Sequence, residues 1–239
     1  MRQLDQSLQR LQTDHVDVLQ IHEADFLRWW VDIPASNRDE GPQDAPLIQD
    51  DEHYDFIGAP VISFLENAKK AGKANFVGIT TKDARRAARV LQALDIDVVM
   101  VAHQLNPIMR NASEFLLPAT EEQNIGVLVA APFMRGLLAT PRQIWRTAPP
   151  LWMDEKFQHS YFSFIGLSDR VGIPPAELTI RWLLGEARKH SIVFGFRSVE
   201  DVHANVEAAE RGTLPTSLHA EIDDLGIVHP LIFQGRTKL

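Results

Sequence analysis

The sequence predicts an α/β fold built on a parallel sheet, and three observations support that prediction. Amphipathic helical segments alternate with short runs rich in Val and Ile, one helix for each run, five times along the chain. Parallel neighbours need a long connection such as a helix, so this order favours parallel pairing with right-handed crossovers. The length of 239 residues and the hydrophobic content of 45% fit a single domain with a real core.

The first part of the chain supplies two helix–strand pairs. A helix is predicted over residues 2–12 because its leucines recur on one face, and a strand is predicted over 16–21. A polar, proline-containing and acidic loop follows over 23–58, longer than an ordinary connection. A helix over 59–72 then leads into a strand over 75–80.

The second part continues the same alternation. Helices are predicted over 83–94, 113–123, 161–171, 175–188 and 198–211, and strands over 98–103, 126–131 and 192–196. Asp83 suits a helix start because the helix dipole favours an acid there. Ser113 and Ser198 are typical N-caps, and Gly72 can end the helix over 59–72. A second long loop occupies 134–158.

Two architectures satisfy this order: an open doubly wound sheet and part of a (β/α)₈ barrel. The sequence has no Gly-rich phosphate loop after a strand, which weakens the dinucleotide-binding version of the open sheet. We expect one domain over residues 1–239, without a separate second domain or an internal repeat.

Composition and charge exclude several classes of function. The net charge of −8 and the lack of a Lys/Arg cluster argue against nucleic acid or an anionic membrane surface as a partner. The chain contains no cysteine, so disulfides, thiolate nucleophiles and Cys-based metal sites are excluded. No apolar stretch reaches the roughly 18 residues of a membrane span, and the N-terminus lacks a signal-peptide pattern. A cytoplasmic location is therefore expected.

Four sequence blocks resemble the aldo-keto reductase superfamily. They read SLQRLQTDHVDVLQIH (7–22), GKANFVGIT (72–80), GVLVAAPFMRGLL (126–138) and GFRSVEDVHAN (195–205). Their order and spacing cover most of the chain. The third block and the loop after it resemble the sugar dehydrogenases that oxidise L-galactose, L-fucose or related aldoses. The resemblance implies an α/β (β/α)₈ TIM barrel that is incomplete here, with about five of its eight βα units, strands 4 to 8.

The resemblance also implies hydride transfer between a nicotinamide coenzyme, NAD or NADP, and an aldose or other carbonyl or alcohol substrate. In the family a His, a Tyr, a Lys and an Asp handle the substrate oxygen and its proton. His22 matches the catalytic His. The other three come from segments before the fourth strand, which this chain lacks. The 239-residue chain by itself is therefore expected to be inactive.

The family builds most coenzyme contacts from the later strands. The matching or substitute positions are Thr80, Thr81, Gln104, Pro132, Phe133, Arg135, Gly136, Arg197, Ser198, Asp201 and Asn205. NADPH-selective members carry an Arg four residues before the helix Asn, where this chain has Asp201. A carboxylate there would repel a 2′-phosphate, so NAD is slightly favoured over NADP, although Arg197 argues the other way.

Substrate contacts are expected from the loop over 23–58. Trp29 and Trp30 follow His22 and can form a substrate wall, or they can simply cover the edge of the barrel. Four further histidines, His15, His53, His190 and His219, show no metal-ligand spacing, and no metal site is predicted.

Several interpretations stay open. A partial barrel leaves two unpaired apolar sheet edges. Three interpretations follow, ranked from the most to the least favoured. The first is a piece of a longer enzyme, and the second is a non-catalytic relative that binds nucleotide or acts as an interaction protein. The third is a chain that closes its sheet as a homodimer. An unrelated (β/α) enzyme with a metal at Asp50, Asp51, Glu52 and His53 is the remaining alternative.

Overall fold

A computed structural model describes residues 2–31, 46–186 and 191–230. Within these ranges the chain forms one five-stranded sheet in which neighbours along the sequence are neighbours in space and all pairs are parallel. The strands are β1 (Val16–Ile21), β2 (Ala74–Thr81), β3 (Val98–Ala102), β4 (Gly126–Ala130) and β5 (Ser191–Val193). This order is that of a run of consecutive strands in a (β/α) barrel.

Helices cover one face of the sheet. They are α1 (Arg2–Leu11), α2 (Pro60–Lys70), α3 (Ala84–Ala93), α4 (Leu117–Glu122), α5 (Glu155–Val171), α6 (Pro175–Gly185), α7 (Val199–Glu210) and α8 (Thr216–Asp223). Alternate strand residues such as Ile79, Val99 and Val129 are buried in the main hydrophobic core. None of the described helices combines the length and apolar character that a bilayer span requires.

The opposite face of the sheet is open among the described residues. Val18 and Phe76 are aligned across β1 and β2 and are 38% and 50% exposed. In a closed barrel this face would be packed core, because side chains fill the interior of an eight-stranded barrel. The structure therefore confirms the predicted partial architecture, and association through the open edges stays a prediction.

Two of the predicted helix starts are confirmed by their capping bonds. The Asp83 carboxylate accepts hydrogen bonds from the backbone N–H groups of Arg85 and Arg86 at the start of α3. The Ser198 hydroxyl accepts one from the N–H of Asp201 at the start of α7. Gly72 lies just past α2 with φ of +67°, the left-handed conformation that ends a helix.

The helix predicted over 113–123 is wrong in detail. A π-helical turn over Ala112–Leu116 precedes α4, so Ser113 lies inside the turn and does not cap it. Pro118 gives the physical reason, because its ring would clash with the carbonyl four residues earlier in a regular α-helix.

Other predicted boundaries are also corrected. α5 begins at Glu155, six residues before the predicted start, because the Asp154 carboxylate caps it through the N–H of Phe157. Its start shortens the predicted loop over 134–158. The strand predicted over 192–196 ends at Val193, where its pairing with β4 ends. α8 was not predicted.

Gly78 allows β2 and β3 to lie side by side. It is aligned with Val98, and a Cβ at this position would lie 2.0 Å from the Val98 carbonyl oxygen. The clash is with backbone, which cannot rotate away as a side chain can. Glycine is therefore required here by contact distance.

We expect Gly78→Ala to lower the free energy of unfolding by about 3 kcal/mol or more, because the strand pair must separate to admit the methyl group. Gly166→Ala is the matched control, since Gly166 lies inside α5 with nothing within 4 Å of the added Cβ. It should gain roughly 0.5–1 kcal/mol. Urea unfolding followed by circular dichroism measures both, and equal stability of the two variants would contradict this packing.

Candidate functional site

The candidate site lies at the carboxyl ends of the strands, where parallel α/β folds place their chemistry. Three non-glycine residues adopt left-handed backbone conformations within two residues of the ends of three strands. Glu23, His103 and Ala131 have φ of +55°, +67° and +49°. Such conformations cost free energy in non-glycine residues and cluster at functional sites. We call this edge the rim.

His22 is exposed at the end of β1. The neighbouring residue Thr80 holds the chain that leaves β1, because its hydroxyl oxygen accepts from the N–H of Glu23 at 2.8 Å and its carbonyl accepts from the N–H of Ala24 at 2.8 Å. The Trp29 indole N–H donates to the His22 carbonyl at 3.0 Å. These bonds fix the backbone at His22 and directly after it, and His22 itself stays exposed.

A buried carboxylate ties the same loop to the end of β2. Asp25 is 5% exposed, and its two oxygens accept from the Thr81 hydroxyl at 2.5 Å and from the N–H of Lys82 at 2.8 Å. Burial raises the pKa of Asp25 to about 6, against the opposing effect of these two hydrogen bonds. Thr81 is 1% exposed, so its hydroxyl serves this network.

Charged and titratable groups line the rim beside this network. The Lys82 ammonium pairs with the Glu23 carboxylate, and both side chains are largely buried. His103 is 7% exposed, and burial lowers its pKa to about 4. Its Nδ1 lies 3.1 Å from the Ala131 carbonyl, which fits a neutral ring with the proton on Nδ1. None of Glu23, Asp25 and His103 is among the site residues predicted from the sequence.

The predicted coenzyme residues on β3 and in the loop after β4 are placed as follows. Gln104 is 1% exposed in the loop that follows β3, whereas Ala102 lies half-buried at the strand end. After β4, Pro132 is buried, and the Phe133 ring stacks on Phe194 at 5.2 Å.

The same loop continues in a tight turn. Arg135 is exposed, and both it and Gly136 have positive φ. The N–H of Gly136 donates to the Phe133 carbonyl. The turn therefore presents a cationic side chain beside the end of β4.

α7 follows β5 in the chain, and β5 is the neighbour of β4 in the sheet. Arg197 and Asp201 pair with each other: the Asp201 carboxylate accepts from both the N–H and the Nε–H of Arg197, each at 3.2 Å. The pKa of Asp201 is lowered, mainly by the hydrogen bond from the Arg197 side chain. Asn205 is half-buried one turn further along. The four coenzyme residues predicted in this region therefore lie together at the start of α7; they are Arg197, Ser198, Asp201 and Asn205.

The two predicted substrate residues differ in position. Trp30 is 3% exposed, packs edge-on against Phe56 at 5.1 Å, and donates its indole N–H to the Ala24 carbonyl. It lies in the core. Trp29 is only half-buried and lies beside His22, so it is the indole that can meet a bound molecule.

Neither of the two tyrosines lies at the rim. The Tyr54 hydroxyl bonds with Glu52 and the N–H of Gln49, and the fully buried Tyr161 hydroxyl bonds with the N–H of Arg142. Among the described residues the acidic group over 50–53 also does not converge on a common metal position. The alternative of a metal enzyme at that segment is not supported.

The raised pKa of Asp25 predicts a pH-dependent stability. Between its ordinary value of 3.8 and about 6, the folded chain holds a proton that the unfolded chain has released. The contribution of Asp25 to the free energy of unfolding is therefore greatest below pH 4, and it is lost as the pH rises through 6. Asp25→Asn removes the cost of ionisation and keeps an oxygen for the N–H of Lys82.

We expect the free energy of unfolding of Asp25→Asn, relative to the original chain, to rise by about 2–3 kcal/mol between pH 4 and pH 7. Urea titrations at each pH measure the difference, and the value at pH 4 serves as the internal baseline. Two parallel stability curves over that range would show that the Asp25 carboxyl group is not buried as described.

Comparison with known proteins places this arrangement in a family. The sequence profile described as the Aldo/keto reductase family matches residues 1–227. In the structure of an aldo-keto reductase from Bacillus halodurans, the holo form superposes with a TM-score of 0.64 at 24% identity, covering 97% of this chain and 67% of that one. The apo form gives the same TM-score at 22% identity.

Three relatives by sequence have names that state a sugar or a small aldehyde as substrate. The L-galactose dehydrogenase of Arabidopsis thaliana is 25% identical over 87% of this chain and 56% of its own length. The L-glyceraldehyde 3-phosphate reductase of Escherichia coli K12 is 23% identical over 92% and 61%. The D-threo-aldose 1-dehydrogenase of Pseudomonas sp. is 25% identical over 77% and 57%.

The chain spans between 56% and 61% of the length of these three relatives. The family profile, by contrast, covers nearly the whole of this chain, and the parallel order of five strands agrees with it. The chain belongs to the aldo/keto reductase family.

Proposed function

We propose that this chain forms the coenzyme-binding part of an NAD(P)-dependent oxidoreductase that acts on an aldose or a similar carbonyl or alcohol compound. The observation that carries the proposal is the position of His22, which is exposed at the end of β1 and whose carbonyl and following residue are held by Trp29 and Thr80. The nicotinamide supplies or accepts the hydride when it is bound. His22 orients the substrate oxygen by a hydrogen bond.

The residues of the rim fit a nicotinamide coenzyme in part. Thr80 is half-buried beside His22, and its hydroxyl hydrogen remains available because the bond from the N–H of Glu23 uses only its oxygen, as an acceptor. Thr81 and Gln104 are enclosed and support the site from beneath. The positive-φ turn that holds Arg135 and Gly136 lies next to the end of β4, where a diphosphate can meet a cation and backbone donors.

The pair at the start of α7 supports NAD over NADP. Asp201 holds the Arg197 guanidinium, so a 2′-phosphate would have to meet the carboxylate as well as the cation. A ribose hydroxyl can instead donate to a carboxylate. The substrate would lie between His22 and Trp29, whose indole offers a flat apolar surface of the kind that sugar rings pack against.

We expect calorimetric titration to show binding of NAD⁺ to the 239-residue chain. Thr80→Val should weaken NAD⁺ binding about three- to tenfold, because one hydrogen bond is lost, whereas Thr80→Ser should retain it.

Asp201→Asn should shift the NADP⁺-to-NAD⁺ affinity ratio toward NADP⁺ by roughly five- to tenfold, because the carboxylate charge is removed. Glu207→Gln, in the last turn of α7, is the matched control.

Absence of binding for both nucleotides would contradict the coenzyme proposal as a whole. Binding that Thr80→Val leaves unchanged would remove Thr80 from the site. An unchanged affinity ratio in Asp201→Asn would overturn the preference for NAD.

A second candidate is a non-catalytic nucleotide-binding or interaction protein. It is favoured by the positions of Tyr54 and Tyr161, whose hydroxyls are bonded away from His22. In the family a tyrosine transfers the proton, so this chain alone is expected to bind nucleotide without turnover.

Hydride transfer separates the two candidates. A chimera that places the N-terminal segment of the Arabidopsis L-galactose dehydrogenase before Arg2 should oxidise L-galactose or another aldose, with NADH formation followed at 340 nm. His22→Ala in that chimera should lower kcat by about 10²-fold or more. A chimera that binds NAD⁺ yet transfers no hydride would favour the second candidate.

A further inference from the structure

Arg28 differs from the other half-buried arginines in the described part of the chain. Those donate hydrogen bonds to carboxylate or backbone carbonyl oxygens; they are Arg86, Arg89, Arg110 and Arg181. Arg28 is half-buried too, yet within the described ranges its guanidinium contacts two aromatic rings and forms no hydrogen bond or ion pair. A cation that has lost part of its hydration normally gains oxygen acceptors in return.

The two aromatic rings hold the Arg28 guanidinium in place without using its donors. The guanidinium carbon lies 5.0 Å from the centre of the Phe26 ring and 5.6 Å from that of the Trp29 ring. The face of an aromatic ring attracts a cation, but it offers no oxygen to the five N–H groups of a guanidinium. These N–H groups are therefore available to a bound molecule.

The two described acids in the segment between β1 and Arg28 are already engaged elsewhere. The Glu23 carboxylate pairs with the Lys82 ammonium. The Asp25 carboxylate accepts from the Thr81 hydroxyl and from the backbone N–H of Lys82. Neither carboxylate pairs with Arg28, so neither neutralises its positive charge by direct contact.

The Trp29 indole places this cation next to the candidate site. One side of the contact is the Arg28 guanidinium, and the N–H of the same indole donates to the His22 carbonyl at 3.0 Å. The indole is also the surface on which the proposed substrate would lie. An anionic group on such a substrate can meet the guanidinium, whose planar set of donors matches two oxygens of a carboxylate or a phosphate.

We propose that Arg28 makes the site selective for a sugar or similar carbonyl compound that carries an anionic group, either a carboxylate or a phosphate ester. This inference rests on the proposed function for the location of the substrate beside His22 and Trp29. Arg28 binds the part of the substrate away from the reacting carbon and takes no part in hydride transfer. The chain has a net charge of −8, so binding of an anion depends on a local cation of this kind.

The test is calorimetric titration of the 239-residue chain, in the presence of NAD⁺, with three hexoses that differ at carbon 6 alone. The probes are D-glucose, D-glucuronate and D-glucose 6-phosphate. We expect at least one of the two anions to bind about tenfold or more tightly than D-glucose, because a charged hydrogen-bonded pair forms with Arg28. The tighter of the two anions identifies the group as a carboxylate or a phosphate ester.

Two variants of Arg28 and a matched control connect the preference to this residue. Arg28→Gln should remove the preference for the anion, and Arg28→Lys should keep part of it, because the charge remains and the planar set of donors is lost. Arg28→Lys decides if Arg28→Gln does not fold. The control is Arg146→Gln, which removes a guanidinium that lies 4.2 Å from the centre of the Phe162 ring, and it should keep the full preference.

Equal affinity for the three hexoses, binding of none of them, or a preference that Arg28→Gln leaves intact would overturn the proposal. NAD⁺ affinity is measured in the same proteins, and Arg28→Gln should leave it unchanged. A loss of NAD⁺ affinity in that variant would assign Arg28 to the coenzyme and would also overturn the proposal. If the original chain does not bind NAD⁺, the proposed function fails, and the hexose titrations without NAD⁺ still decide the role of Arg28.

Discussion

The hydrogen bonds that join the exit of β1 to the end of β2 are the constraint on which the candidate site depends. Asp25 accepts from the side chain of Thr81 and the backbone of Lys82, and Thr80 holds the N–H of Glu23. Parallel pairing brings the two strand ends to one edge, but pairing alone would leave the loop free. The buried carboxylate is what fixes the backbone next to His22.

The Asp25 carboxylate also illustrates how burial affects the charged groups of the rim. Asp25 is held by hydrogen bonds yet carries a raised pKa, because burial outweighs them. Glu23 and Lys82 neutralise each other, and His103 has a lowered pKa because it is buried. Such perturbed groups gathered at strand ends are typical of functional sites. They also mean that stability and binding at the rim depend on pH.

Local sequence signals predicted the parts of the fold that depend on local chemistry. The five strands followed from short apolar runs, and the starts of α3 and α7 from Asp83 and Ser198. His22 and Thr80 could be placed at the rim because both end a predicted strand. The π turn before Pro118 was missed, since the effect of a proline on the preceding turn depends on how the helix packs.

The contacts that the sequence did not predict are those between residues far apart in the chain. Asp25 and Thr81 are 56 positions apart, and nothing local indicates that one buries against the other. The left-handed conformation of His103 likewise comes from the strand end and not from residue type. Trp29 and Trp30 are adjacent in sequence, yet only the structure separates the indole beside His22 from the one in the core.

The central claim is that a nicotinamide coenzyme lies along the carboxyl ends of β1, β2, β4 and β5. Hydrogen–deuterium exchange with and without NAD⁺, read by mass spectrometry, tests it most directly because it needs no turnover. The account predicts slower exchange in peptides over 22–25, 78–83, 131–136 and 197–201, with no change in α2 or α8. Protection confined to other parts of the chain would contradict it.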